Sequence, residues 1–306
     1  MTEPEDDESD ADIRERVQRL IDSPSYEQAD RDEAFLLRPE MCGVRLQLDF
    51  WKTEEILRRR AIEHTIVVYG STRVVEPHAA QVRLTKANRI LATDPGNRQY
   101  ACAADHAKRA LDKSRFYEIA REFGRIVGSG RAADTLPHLA VVTGGGPGIM
   151  EAANRGAYES GAPSIGLNIS LPREQLPNPY ISPDLCFKLH YFAIRKLHLL
   201  ERAKAAVFFP GGFGTCDELF EVLTLLQTRK IAPLPVVLVG ERYWRRAVDF
   251  DFLVDEGMIA AADVHLLAYA ESAEEIWRAI STWYEVHTAS RNDPEAHPFQ
   301  IAGDRP

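Results

Sequence analysis

The 306-residue chain has few cysteines: Cys42, Cys102, Cys186 and Cys216 lie far apart, and none forms a CxxC pair. Their scarcity excludes a disulfide framework and the usual zinc spacings, and makes reduced thiols in a cytoplasm the expectation. No apolar run approaches the roughly 20 residues that a membrane helix needs. The first residues are acidic and polar, without a basic start or an apolar stretch behind it. A soluble cytoplasmic protein with no membrane partner is therefore expected. An excess of positive charge is also missing: the formal charge is −9, which argues against a dedicated nucleic-acid surface. No internal repeat is present. With 45% hydrophobic and 27% charged residues, the composition is an ordinary globular one, with ample core for one large α/β domain or two small ones.

Residues 1–12 form a like-charge run that cannot bury anything, and read as a disordered acidic tail. Residues 13–64 read as a helical and extended arm, interrupted at Arg38-Pro39. Within it Val44–Phe50 alternates apolar and polar residues, which suggests an edge strand or a packed extended segment. The texture changes from Thr65. Continuous apolar runs at Thr65–Tyr69, Leu139–Thr143, Ser164–Asn168, Ala205–Phe209, Pro235–Val239 and His265–Tyr269 predict strands buried on both faces. Helices are expected between them at about 114–128, 147–160, 190–204, 215–229 and 272–287. Together they predict a Rossmann-like, doubly wound parallel α/β sheet flanked by helices over residues 65–287. Residues 74–113 break the alternation and read as an inserted helical pair or long loop with a turn at Asp94-Pro95-Gly96-Asn97. Residues 288–306 read as an irregular tail.

Two glycine turns each follow a buried strand directly. The first is Gly144-Gly145-Gly146-Pro147-Gly148; the second is Pro210-Gly211-Gly212-Phe213-Gly214-Thr215-Cys216-Asp217-Glu218. Glycines allow several N–H groups to converge on an anion, and the following helix adds its free N–H groups and partial positive charge. Neither turn is a dinucleotide fingerprint, since Ile149 and Asp217 stand where the last glycine is required, and neither has the P-loop lysine. A single phosphate group fits better than a pyrophosphate. The plainer reading is that each turn merely packs a helix against a strand. Glu218 has a plainer reading too, as the end of a Thr-x-x-Glu capping box begun by Thr215. Asp217 and Glu218 beside a phosphate require compensating cations, for which Arg195 and Lys196 are the candidates; their plainer reading is a solvated basic pair. Cys186 and His190 supply too few donors for a metal site and read as core packing.

On these residues the chain resembles the LONELY GUY (LOG) family, formerly labelled lysine decarboxylases. The paired signature is the PGGxGTxxE turn at 210–218 with the upstream Arg195-Lys196. Supporting matches are Tyr69–Arg73, Gly144–Glu151 and Gly166–Pro172, and the likeness covers about residues 44–285. The resemblance implies a nucleotide-binding homodimer or higher homo-oligomer that hydrolyses the N-glycosidic bond of AMP-like nucleoside 5′-monophosphates. The products are free base and ribose 5-phosphate, and the plant-type substrate is a cytokinin riboside monophosphate. It implies Arg195 and Glu218 as the catalytic pair. Ser71, Gly145, Gly146, Asn168, Phe192, Lys196, Gly211, Gly212, Gly214 and Thr215 are then substrate-binding, with no metal and no cofactor. Short plant-type members lack the N-terminal arm, the 74–113 insertion and the tail. Phe192 stands where they often carry methionine, so a broader nucleotide substrate is expected. Two other classes stay open: a non-catalytic binder of nucleotides or phosphates, as in related molybdenum-cofactor carriers, and a decarboxylase, for which Lys196 beside Arg195 offers no recognisable pyridoxal phosphate setting.

Overall fold

A computed structural model describes residues 9–130, 139–170 and 176–292. The chain divides into two units, residues 1–51 and 52–306. In the first, helices α1 (Asp10–Ile21) and α2 (Glu33–Leu36) are capped by the side chains of Ser9 and Asp32. Of the predicted acidic tail, residues 1–8 lie outside the described residues, whereas Asp10–Asp12 open α1 behind their serine cap. Helix α3 (Cys42–Arg59) then runs into the second unit.

Val44–Phe50 belongs to α3 and is not a strand. Its alternation is a short sample of a longer pattern. Leu46 is half-buried, and Asp49, Thr53 and Leu57 are buried, the three- and four-residue steps of a helix that seven residues are too few to reveal.

The second unit is built on a seven-stranded sheet of order β4-β3-β2-β1-β5-β6-β7. The strands are β1 (His64–Tyr69), β2 (Leu139–Thr143), β3 (Ser164–Ile169), β4 (Cys186–Leu189), β5 (Ala203–Phe208), β6 (Val236–Val239) and β7 (Leu267–Ala270). Every neighbouring pair is parallel. Between β1 and β2 lie α4 (Pro77–Thr93), α5 (Arg98–Lys113) and α6 (Arg115–Gly128). The 74–113 segment is thus a helical pair, and the Asn97 side chain caps α5 through the N–H groups of Gln99 and Tyr100. The remaining helices are α7 (Ile149–Glu159), α8 (Phe192–Glu201), α9 (Phe213–Gln227), α10 (Glu241–Ala247), α11 (Phe250–Asp255) and α12 (Ala273–Asn292). Of the predicted C-terminal tail, residues 288–292 continue α12 and 293–306 lie outside the described residues.

Alternation of side chains explains why the central strands carry no polar face. Ile66 and Val68 pack with α6, α7 and α12, while Val67 and Tyr69 pack with α8, α9 and Trp244 of α10. Both faces are covered by helices, so each position gains from burial. Edge strand β4 differs: Phe187 and Leu189 are buried, while Cys186 and Lys188 are exposed. This corrects the core-packing expectation for Cys186 and His190, both of which lie on the exposed side. His265 and Leu266 likewise fall in a 3₁₀ turn before β7 rather than inside a strand.

The chain leaves β1 in one direction toward β4 and resumes at β5 on its other side. The carboxyl ends of β1 and β5 therefore flank a topological switch point, where open α/β sheets form their crevices.

Candidate active site

Both glycine turns lie at this end of the sheet. Ser71, just beyond β1, joins them: its N–H donates to the Pro210 carbonyl at 3.1 Å and its carbonyl accepts from Ile149 N–H at 3.2 Å. The Ser71 hydroxyl accepts from the Arg73 N–H at 3.1 Å, so it already holds its own loop. Close approach here dictates glycine. Gly148 has φ +77°, and a Cβ on it would lie 2.4 Å from the Ser71 carbonyl oxygen. The Asn168 side chain, from the end of β3, lies over Gly145, at 2.5 Å from where a Cβ would be.

In the second turn a Cβ on Gly211 would meet Thr215 Oγ1 at 2.0 Å, so the buried threonine excludes a side chain there. Gly212 and Gly214 face open space instead, with nothing within 4 Å of an added Cβ. The turn is backed by α10, whose Tyr243 hydroxyl donates to the Gly211 carbonyl and whose Trp244 Nε1 donates to the Phe208 carbonyl at 3.1 Å.

Helix α9 begins one residue after Gly212, which is its N-cap and has no side chain to offer. Thr215 is accordingly the third helical residue, and the capping-box account of Glu218 fails. Glu218 sits in the second turn of α9, and its carboxylate accepts from Arg195 at 3.1 Å. Both side chains are largely buried, at 14% and 13% exposure. Arg195 also reaches the first turn: its Nη1 lies 3.5 Å from where a Gly144 Cβ would be. Its guanidinium rests 4.9 Å from the centre of the Phe192 ring, and its Nε is buried without a hydrogen-bond partner among the described residues. The guanidinium thus pairs with Glu218 of α9 and rests on an exposed aromatic ring, on the side of the first turn.

Lys196 is placed differently from its neighbour. Its ammonium pairs with Asp217 at 2.8 Å and Glu221 at 3.0 Å, not with Glu218. The Glu218 carboxyl is pushed up to about 7, first by burial, against the opposing pull of Arg195 and Lys196. Asp217 and Glu221 add to the rise. A carboxyl that titrates near neutrality, beside a buried guanidinium, is suited to proton exchange and to facing a developing positive charge. Burial, with Glu218 and Glu221 next, also drives the Tyr69 hydroxyl well above its ordinary range.

The structure thus gathers Ser71, the glycines of both turns, Asn168, Phe192, Arg195, Thr215 and Glu218 at one end of the sheet. It assigns Lys196 to two other carboxylates. Sequence reasoning missed Thr143, Asn154, Asn178 and Tyr243, which hold the two turns from behind. Among the described residues, one group could approach a metal: Glu54, His198 and Glu201, with ligand atoms within 4.8 Å of one another. Glu54 is already held by Arg58 at 2.6 Å and Arg202 at 2.7 Å, so two guanidinium groups supply the positive charge there.

Comparison with known proteins bears on this arrangement. A family model described as "Possible lysine decarboxylase" matches residues 150–280, which include Arg195, Lys196 and the whole second turn. The cytokinin riboside 5′-monophosphate phosphoribohydrolase LOG1 of Arabidopsis thaliana is 29% identical over 151 residues, 48% of this chain and 69% of that protein. The chain is similar to the LOG family over these residues. A bacterial relative is the pyrimidine/purine nucleotide 5′-monophosphate nucleosidase of Escherichia coli (strain K12). It is 28% identical to this chain over 203 residues, 60% of the chain and 41% of that protein. Among solved structures, the molybdenum cofactor binding protein of Rippkaea orientalis is similar at 20% identity. That match covers 55% of this chain and 88% of the other, with a TM-score of 0.37.

Proposed function

We propose that the protein hydrolyses the N-glycosidic bond of nucleoside 5′-monophosphates, releasing a free base and ribose 5-phosphate. The observation that carries this reading is the buried Arg195–Glu218 pair, set between two glycine turns at the switch point of the sheet. Gly212 and Gly214 support it, because the fold itself leaves room for side chains at both. An oxygen-rich phosphate would meet backbone N–H groups there and at the start of α9.

Breaking the bond between the base and C1′ leaves positive charge on the ribose. Glu218, as carboxylate, faces that charge and takes a proton from the water whose oxygen bonds to C1′. The departing base gains a proton in turn. Arg195 orients Glu218 and attracts the phosphate, while Phe192 offers its ring to the base. Neither a metal nor an organic cofactor is part of this scheme. Nucleotides as a class are the proposed substrates, cytokinin riboside monophosphates among them. We further propose a cytoplasmic homodimer or higher homo-oligomer, supported by the exposed Phe192, Leu197 and Phe213 around the site.

The test is incubation with AMP, GMP, CMP, UMP and a cytokinin riboside monophosphate, with free base measured by chromatography. Release from at least one is expected, and none from any of them, by folded protein, overturns the proposal. Nucleotide binding without release, unchanged in Glu218→Gln, would establish the non-catalytic binder instead.

A further inference from the structure

Beneath the first glycine turn lies a polar network withdrawn from solvent. Thr143, Asn154 and Ser164 are 0% exposed and Asn178 is 6% exposed. Asn178 closes on the turn in two ways. Its backbone N–H donates to the Gly145 carbonyl at 2.9 Å. Its side-chain amide donates to the carbonyls of Gly145 at 3.2 Å and Gly146 at 3.1 Å, and to Asn154 Oδ1 at 3.0 Å.

The other members fix the direction of that amide. Thr143 Oγ1 donates to Asn154 Oδ1 at 2.7 Å and accepts from the Gly145 N–H at 3.0 Å. Asn154 Nδ2 donates to Ser164 Oγ at 2.8 Å and to the Ile165 carbonyl at 3.2 Å. Asn154 Oδ1 is thereby left as an acceptor for Thr143 and Asn178. Asn178 Oδ1 accepts from the Tyr180 N–H at 3.2 Å, so its Nδ2 must face the turn. Buried polar groups are costly unless satisfied, and a satisfied network fixes one arrangement.

We infer that Asn178, held by Asn154 and Thr143, is a positioning device that keeps the carbonyls of Gly145 and Gly146 from facing the substrate. A bare glycine turn presents carbonyl oxygens as readily as N–H groups, and those oxygens repel a phosphate or a ribose oxyanion. Asn178 draws the carbonyls of Gly145 and Gly146 inward and occupies them. The inference rests on the proposed reading of the site, and it concerns binding rather than bond cleavage.

The test uses Asn178→Ala, Thr143→Val and Thr143→Ser in the full chain. It reads kcat and KM for AMP and, separately, ribose 5-phosphate binding by calorimetry. Asn178→Ala should raise KM and weaken ribose 5-phosphate binding by about tenfold or more, with kcat within about twofold. Thr143→Val keeps shape and loses both hydroxyl bonds, and should weaken binding by about three- to tenfold. Thr143→Ser should restore binding. That serine and valine pair carries the test should Asn178→Ala not fold. A KM unchanged in folded variants, a fall confined to kcat, or a serine variant as weak as the valine overturns the inference. If the wild type releases no base, the proposed hydrolysis fails, yet ribose 5-phosphate binding still decides the role of Asn178. Wild-type protein that binds no ribose 5-phosphate overturns the inference as well.

Discussion

The turn after β2 is held from beneath by side-chain amides, whereas the turn after β5 is held by aromatic side chains of α10. In the first, Asn178 takes the carbonyls of Gly145 and Gly146; in the second, Tyr243 takes the carbonyl of Gly211. The glycines also differ in what requires them. Gly148 and Gly211 are demanded by the protein itself, because Ser71 and Thr215 occupy the space of a side chain. Gly212 and Gly214 are not, since among the described residues nothing outside the local backbone lies within 4 Å of a Cβ added at either. A glycine motif therefore mixes two kinds of position, and only the second kind speaks for a ligand.

The largest effects should come from the pair that stands between the turns. Glu218→Gln and Arg195→Ala should each lower kcat by roughly 10²–10⁴, as removal of a proton-transfer group or its buried charged partner does. Lys196→Ala should cost no more than about tenfold, because its partners Asp217 and Glu221 are 60% and 32% exposed, more open to solvent than Glu218. Steady-state rates with AMP measure all three. Equal losses at Arg195 and Lys196 would erase the distinction between the buried and the exposed pair.

The glycines come next. Gly148→Ala and Gly211→Ala should each lower the unfolding free energy by roughly 3–5 kcal/mol, from the close contacts and, at Gly148, the left-handed backbone as well. Gly212→Ala and Gly214→Ala should unfold within about 1 kcal/mol of wild type while KM for AMP rises about tenfold or more. Urea titration and kinetics on the same four variants separate the classes.

A smaller effect concerns pH. Glu218 titrates near 7 in the folded protein, above the ordinary carboxylate range, because it is buried. The folded state holds that proton more tightly than the unfolded chain. The associated stability is present at acidic pH and is lost as pH rises through about 7. Relative to Glu218→Gln, wild-type unfolding free energy should fall by roughly 2–3 kcal/mol between pH 4.5 and 7.5. The ratio kcat/KM should rise over the same interval as the carboxylate forms. A flat difference between the two proteins would remove Glu218 as the titrating group.

Much of the fold is legible in the sequence. Strands β1, β2, β3, β5 and β6 announce themselves as unbroken apolar runs because helices cover both faces. Strand β4 does not, since only Phe187 and Leu189 of its residues are buried. Arg195 and Glu218 stand out by residue type and by the motif around them. The helix start before Glu218 is masked in the sequence because Thr215 and Glu218 imitate a capping box, while the true cap, Gly212, has no side chain to signal it. Asn154, Asn178 and Tyr243 were silent for another reason. Each acts on a group that only the folded backbone brings within reach.

The smallest effect should lie at Tyr243, and it bears on whether the two turns are held by equivalent means. Tyr243→Phe keeps the ring, which meets Trp244 edge-on at 5.2 Å between centroids, and removes only the hydroxyl that donates to Gly211. Net loss of one such bond is about 1 kcal/mol. Trp244 still donates to Phe208, and Thr215 still fills the space beneath Gly211, so the turn retains two of its supports. Stability should fall by about that amount, and KM should rise by no more than about threefold. Among the described residues, Asn178 has no such companions on the Gly145 and Gly146 carbonyls beyond its own backbone N–H, and its removal should be felt more strongly in binding. If Tyr243→Phe weakened ribose 5-phosphate as much as Asn178→Ala, the aromatic wall would be as strict a positioning device as the amide network. The contrast between the two turns would then be one of chemistry alone.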